Sequence, residues 1–99
     1  MLNIEKKGSA SELTVALAGR LDTTTAPELE AFLKESLEGV PSLMIDMEAL
    51  EYISSAGLRV LLSAQKIMGK QGEMKVTHVN ETIMEIFEVT GFSDILTIV

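Results

Sequence analysis

The chain has no cysteine and no tryptophan, and among its 99 residues there is one histidine, one tyrosine, three phenylalanines and two prolines. The absence of cysteine removes disulfides, thiol nucleophiles and Cys-based zinc together. With His78 as the only imidazole, a Ser-His-Asp triad or a two-histidine metal site would have to be built around that one residue. Positive charge is scarce too: eight Lys and Arg stand against fifteen Asp and Glu, a formal net charge of −7. Phosphate neutralisation needs a basic face, so no nucleic acid partner is expected. Anionic membrane surfaces are disfavoured for the same reason. Long hydrophobic runs are also missing. The longest, Val15 to Ala18, is far short of the ~20 residues that span a bilayer, so no membrane insertion is expected. The opening Met-Leu-Asn-Ile-Glu-Lys-Lys is unlike a secretory signal, which makes the cytoplasm the expected location.

What is present suffices for one folded unit. A chain of this length buries about two-thirds of its unfolded surface, and 46% of the residues are hydrophobic, so a single domain over residues 1–99 needs no metal or disulfide staple. Leu2 to Glu5 and Leu13 to Ala18 read as two strands joined by a Gly8–Ser11 hairpin loop. Thr25 and Glu28 have capping-box spacing, and Pro27 suits the first turn of a helix whose apolar stripe is Leu29, Phe32, Leu33 and Leu37. Gly39 and Pro41 stop it. Leu43 to Met47 is a short apolar run, as in a central strand covered by helices on at least one side, with Asp46 as a polar strand end.

From Ser54 or Ser55 a second helix is expected, with Leu58, Leu61, Leu62 and Met68 inward and Arg59, Lys66 and Lys70 outward. Met74 to Val79 alternates like a strand, in which His78 reads as an ordinary strand residue. Asn80 then caps a third helix carrying Ile83, Ile86 and Phe87, Gly91 ends it, and Ile95 to Val99 makes a last strand. The fold class is therefore α/β: a mixed, mostly parallel sheet of about four to five strands with an N-terminal hairpin and helices packed on it.

The segment with most chemical content is Tyr52-Ile53-Ser54-Ser55-Ala56-Gly57-Leu58-Arg59, which passes from a strand into a helix. Either serine can cap the helix, and Gly57 lets another segment approach its first turn. A serine displayed at a positive helix end is equally suited to carry a phosphate, which the dipole and free N–H groups would hold in place. Asp46 and Glu48 suggest a metal pair, yet they have no third ligand in sequence, and no metal or other cofactor is expected. A hydrolase with Ser55 as nucleophile would depend on His78, and Ile-Ser-Ser-Ala-Gly is not the Gly-x-Ser-x-Gly elbow.

Tyr52 to Leu58, together with Leu17-Ala18-Gly19-Arg20-Leu21-Asp22 and the spacing between them, resembles a STAS domain of the anti-sigma factor antagonist type. The resemblance runs from the first hairpin to Phe92 and covers the family's Asp-Ser-(Ser/Thr/Ala)-Gly-Leu pattern, with Ser54 in place of the aspartate. It implies a non-enzymatic regulator whose partner is an anti-sigma factor that is itself a serine kinase, and a separate phosphatase that acts on the phosphoserine form. It also implies Ser55 as the phosphoacceptor and matches Asp22 and Gly57 to family positions at the switch. With Ser54 in the aspartate's place as the alternative acceptor, the expected partner surface is Asp22, Ser54, Ser55, Gly57, Leu58 and Arg59; Arg59, one turn from Ser55, either belongs to a solvated helix face or touches the partner or steadies the phosphate. The other reading is a STAS subunit of a lipid-transport or stress-signalling complex that carries no phosphate.

Overall fold

A computed structural model describes residues 2–9 and 11–99; Ala10 of the expected Gly8–Ser11 loop lies outside the described residues. Strands β1 (Leu2–Gly8) and β2 (Leu13–Leu21) form the N-terminal hairpin. They are followed by α1 (Ala26–Ser36), β3 (Ser42–Ile53), α2 (Ser55–Gln71), β4 (Glu73–Thr77), α3 (Glu81–Thr90), α4 (Phe92–Ile95) and β5 (Thr97–Ile98). The five strands form one sheet in sequence order, antiparallel between β1 and β2 and parallel thereafter. This is the expected single α/β domain with a mixed, mostly parallel sheet.

One face of the sheet holds the core. Leu13, Val15, Leu17, Leu43, Ile45, Met47, Met74 and Val76 alternate inward, meeting Leu29 and Leu33 of α1, Leu61 and Met68 of α2, and Ile83 and Phe87 of α3. The opposite face is open: Asn3, Glu5, Ala16, Ala18, Asp46 and Glu48 line a shallow concavity there of about 250 Å³.

β1 and β2 each run three residues past their expected ends at Glu5 and Ala18, and three further boundaries differ, each for a local reason. β3 continues six residues past Met47 to Ile53, because the buried positions change spacing from Ile45 and Met47 to Leu50 and Ile53. Its pairing with β2 slips twice, from Ala16↔Asp46 to Ala18↔Ala49 and from Gly19↔Leu50 to Arg20↔Tyr52, so β3 carries two extra residues. Each bulge interrupts the period of two that marks a strand in sequence. Asp46 is consequently mid-strand rather than at a strand end.

Second, the chain after Gly91 (φ 82°) first turns into α4, and only Thr97 and Ile98 pair with β4. Ile95 is in that helix and 46% exposed rather than in a strand. Third, His78 follows β4 instead of belonging to it, with φ 57° in the left-handed region. Asn80 caps α3 as expected, its Oδ1 accepting from Ile83 N at 2.9 Å, and its Nδ2 also donates to Leu50 O near the second β3 bulge. No helix is long and apolar enough to cross a membrane among the described residues.

Candidate functional site

The turn after β2 and the start of α2 meet at the carboxyl end of the first parallel strand pair. Ser54 N donates to Leu21 O at 2.8 Å, so the segment bearing Ser54 and Ser55 is fastened directly beside Asp22. Ligand and partner sites of parallel sheets collect at this end of the strands.

Asp22 is held by its own turn. Its Oδ1 accepts from Thr24 N (3.0 Å), Thr25 N (3.1 Å) and the Thr24 hydroxyl (2.7 Å). Thr25 Oγ1 in return accepts from Asp22 N at 2.8 Å and donates to Arg20 O at 2.9 Å. This reciprocal pair is a capping box centred on Asp22 and Thr25, three residues upstream of the expected Thr25–Glu28 box. Thr25 caps nothing downstream because its hydroxyl is already used. Asp is also the stronger N-cap of the two types.

The Thr24 hydroxyl, helped by the Thr25 and Thr24 backbone N–H groups and the Thr25 hydroxyl, outweighs desolvation and holds the Asp22 carboxyl below its ordinary value of 3.8. A lowered folded-state pKa means stability that is present above the ordinary value and lost as pH falls through the lower folded one. Asp22→Asn is accordingly expected to be less stable than the parent near neutrality, with the gap shrinking in acid. Urea unfolding of both proteins at about pH 6 and about pH 2.5 checks this; a gap of constant size would sink it.

The two serines are separated by role. Ser54 is the N-cap, extended at φ −99°, ψ 175°, and its hydroxyl accepts from Gly57 N at 3.4 Å. Ser55 is the first residue of α2 and exposed, and its hydroxyl has no hydrogen bond among the described residues. α2 has no acidic residue in its first turn, so its positive end is not already neutralised.

Gly57 and Leu58 are buried. A Cβ on Gly57 would stand 2.6 Å from Leu21 Cγ and 2.9 Å from Ile53 Cγ1, which explains the glycine as a packing requirement. Leu58 and Leu61 point inward as expected, at 6% and 0% exposed, and Val60 is buried with them at 5%. These residues seat α2 on the sheet and leave little of their side chains at the outer surface.

Arg59 is exposed and lines a groove of about 220 Å³ with Glu30 and Pro27 of α1, Thr23 and Ala56. It is four residues after Ser55, so the two side chains share one helix face about 5–6 Å apart at Cβ.

Sequence reasoning passed over Arg20 and Tyr52. The Arg20 guanidinium lies 4.4 Å from the centre of the Tyr52 ring and 3.9 Å from Asp22 Oδ2. Their juxtaposition follows from the β2–β3 register that pairs the two residues, which the second bulge hides from any count along the chain. The fold does not bring His78 to Ser55. Ile53 comes seven strand positions after Asp46, which is beside His78, roughly 20 Å at strand rise, so the hydrolase arrangement is not formed.

The model of the STAS domain family matches residues 2–99. The chain is 31% identical over 98 residues to the anti-sigma-B factor antagonist of Bacillus subtilis, spanning 98% of this chain and 90% of that one. Among solved structures, an anti-sigma factor antagonist from Mycobacterium paratuberculosis superposes with a TM-score of 0.90 at 23% identity, covering 99% of this chain and 85% of the other. The Bacillus cell fate determinant SpoIIAA, solved in its phosphorylated form, gives 0.75 at 16% identity over 98% and 91%. The family match from residue 2 to residue 99, and a relative 31% identical over 98 residues, make this chain a member of the STAS domain family, alongside relatives that are anti-sigma factor antagonists.

Proposed function

We propose that the chain is an anti-sigma factor antagonist of the phosphoswitch kind: it binds an anti-sigma factor that is a serine kinase, frees the sigma factor, and is switched off by phosphate on Ser55. One observation carries this reading. Ser55 offers an exposed hydroxyl at the first position of a 17-residue helix that has no acidic residue in its first turn, fastened beside Asp22. Ser54 is less suited as acceptor because its oxygen already caps the helix.

A phosphate on Ser55 meets a positive helix end, and Arg59 one turn along supplies a further cation. The added charge of about −2 falls on an exposed surface, where it opposes an acidic partner face or any contact that must be desolvated. A phosphatase resets the switch, and the whole cycle is cytoplasmic. The protein's own role is binding, not catalysis.

Intact-mass analysis of the protein recovered from its host, followed by peptide mapping, tests the reading. A single phosphate on Ser55 in a fraction of the molecules is expected. Phosphate confined to Thr23, Thr24 or Thr25 would overturn it.

A further inference from the structure

A second constellation lies on the open face of the sheet, away from Ser55. Asp46 and Glu48 are two residues apart on β3 and so project to the same side. β4 runs parallel beside β3 with Thr77 paired to Asp46, and His78 comes immediately after that pair. At φ 57° His78 is the only non-glycine residue with positive φ among the described residues. Histidine is one of the few side chains enriched in that region, where residence still carries a cost. Its Nδ1 lies 3.1 Å from Asp46 Oδ1 and 4.0 Å from Glu48 Oε2. Glu48 N donates to Asp46 Oδ1 at 3.0 Å, which fixes the carboxylate between its two neighbours. The sequence alone offered two carboxylates without a third ligand; the fold supplies it from a residue thirty positions on.

We infer that Asp46, Glu48 and His78 form a binding site for a divalent first-row transition ion of the zinc type. One ligand atom from each residue lies within 4.8 Å of the others. Small side-chain adjustments, under about 1 Å each, bring them to bond lengths of about 2.0–2.2 Å. Three protein donors leave at least one position for water. An imidazole with two carboxylates selects zinc, cobalt or nickel over magnesium and calcium, which prefer oxygen alone. His78 is 57% exposed and Glu48 76%, so the ion is reached from solvent without any opening of the fold. The site makes no use of the Ser55 reading and stands if that reading fails.

His78 being the only histidine and cysteine being absent, affinity for an imidazole-seeking ion reports on this site alone. The experiment is calorimetric titration of the metal-free full chain with zinc, repeated on His78→Asn and Glu48→Gln. Asn tolerates the left-handed backbone, so His78→Asn removes the imidazole without forcing a new turn; thermal melts without metal confirm that both variants fold. The parent is expected to bind one equivalent, with affinity at least about tenfold weaker in each variant. Cobalt should give the visible absorption of a nitrogen- and oxygen-ligated ion, and excess magnesium should not displace zinc. Parent affinity weaker than about 1 mM, equal affinity in the folded His78→Asn protein, or ready displacement by magnesium would each overturn the site.

Discussion

Ser55→Asp is expected to lose nearly all affinity for the anti-sigma factor, while Ser55→Ala keeps it. The difference is charge on an exposed contact position. Driving a carboxylate with no partner group opposite it into a desolvated contact costs about 2–5 kcal/mol, which is roughly a thirty- to several-thousand-fold loss in binding. Alanine removes only a hydroxyl that makes no hydrogen bond among the described residues, so the unphosphorylated surface is preserved. The substitution does not act by unfolding the protein. An acidic residue in the first turn of a helix is favoured by the dipole, and α2 has none there, so Ser55→Asp should melt at or slightly above the parent temperature. Surface plasmon resonance against the anti-sigma factor, with melting curves on the same samples, separates the two effects. Full affinity in a folded Ser55→Asp protein would remove Ser55 from the switch. If Ser54→Asp were the variant that lost binding while still folded, the role would move to the neighbouring serine.

Much of this architecture was legible in the residues, and the exceptions share a cause. The helices were visible because Leu29, Leu33, Leu61, Met68, Ile83 and Phe87 keep the helical period on one buried face, and Asn80 and Gly91 mark the ends of α3 with the chemistry those ends need. The β2 alternation of Leu13, Val15 and Leu17 was equally plain. What could not be read depends on a partner distant in sequence. The last six residues of β3 look irregular along the chain, and only pairing with β2 explains why Leu50 and Ile53 turn inward. The capping box at Asp22 was obscured by Thr25, which has the right spacing on both sides and can serve only one.

The candidate site divides in the same way. Ser54, Ser55 and Gly57 were placed by local pattern at a helix start, and there they are. The burial of Leu58 is a matter of which way α2 is rotated against Leu21 and Ile53, and the stack of Arg20 on Tyr52 is a matter of register. Neither is a property of a short motif. The meeting of His78 with Asp46 and Glu48 needs both the parallel β3–β4 pairing and the left-handed turn at the end of β4.

Two glycines near the end of α2 are expected to respond to alanine with opposite signs, although in the sequence they look alike. Gly69 is exposed inside the helix, and a Cβ there meets no atom within 4 Å. Gly69→Ala therefore gains helix propensity alone and should stabilise by about 0.5–1 kcal/mol. Gly72 is extended at φ 173°, a conformation open to any residue, so its requirement is one of space. A Cβ at Gly72 would stand 1.8 Å from Pro41 O and 2.5 Å from Pro41 C, both backbone atoms that no rotamer change can move. To accept it, the chain must pull β4 away from the segment entering β3. That breaks the Glu73 N to Pro41 O bond of 3.0 Å and disturbs the Ser42↔Glu73 pair that opens the β3–β4 ladder. It also strains the tie from the Gln71 amide to Leu37 O and Val40 O at the same corner. The lost hydrogen bonding and the overpacking together should cost about 2–4 kcal/mol. For a domain of this size each kcal/mol moves Tm by about 4–8 °C, so Gly72→Ala should melt at least about 8 °C below the parent and Gly69→Ala a few degrees above it. Chemical denaturation of both variants and the double mutant measures the pair. A Gly72→Ala protein as stable as the parent would mean that Pro41 does not approach α2's end as closely as the geometry requires.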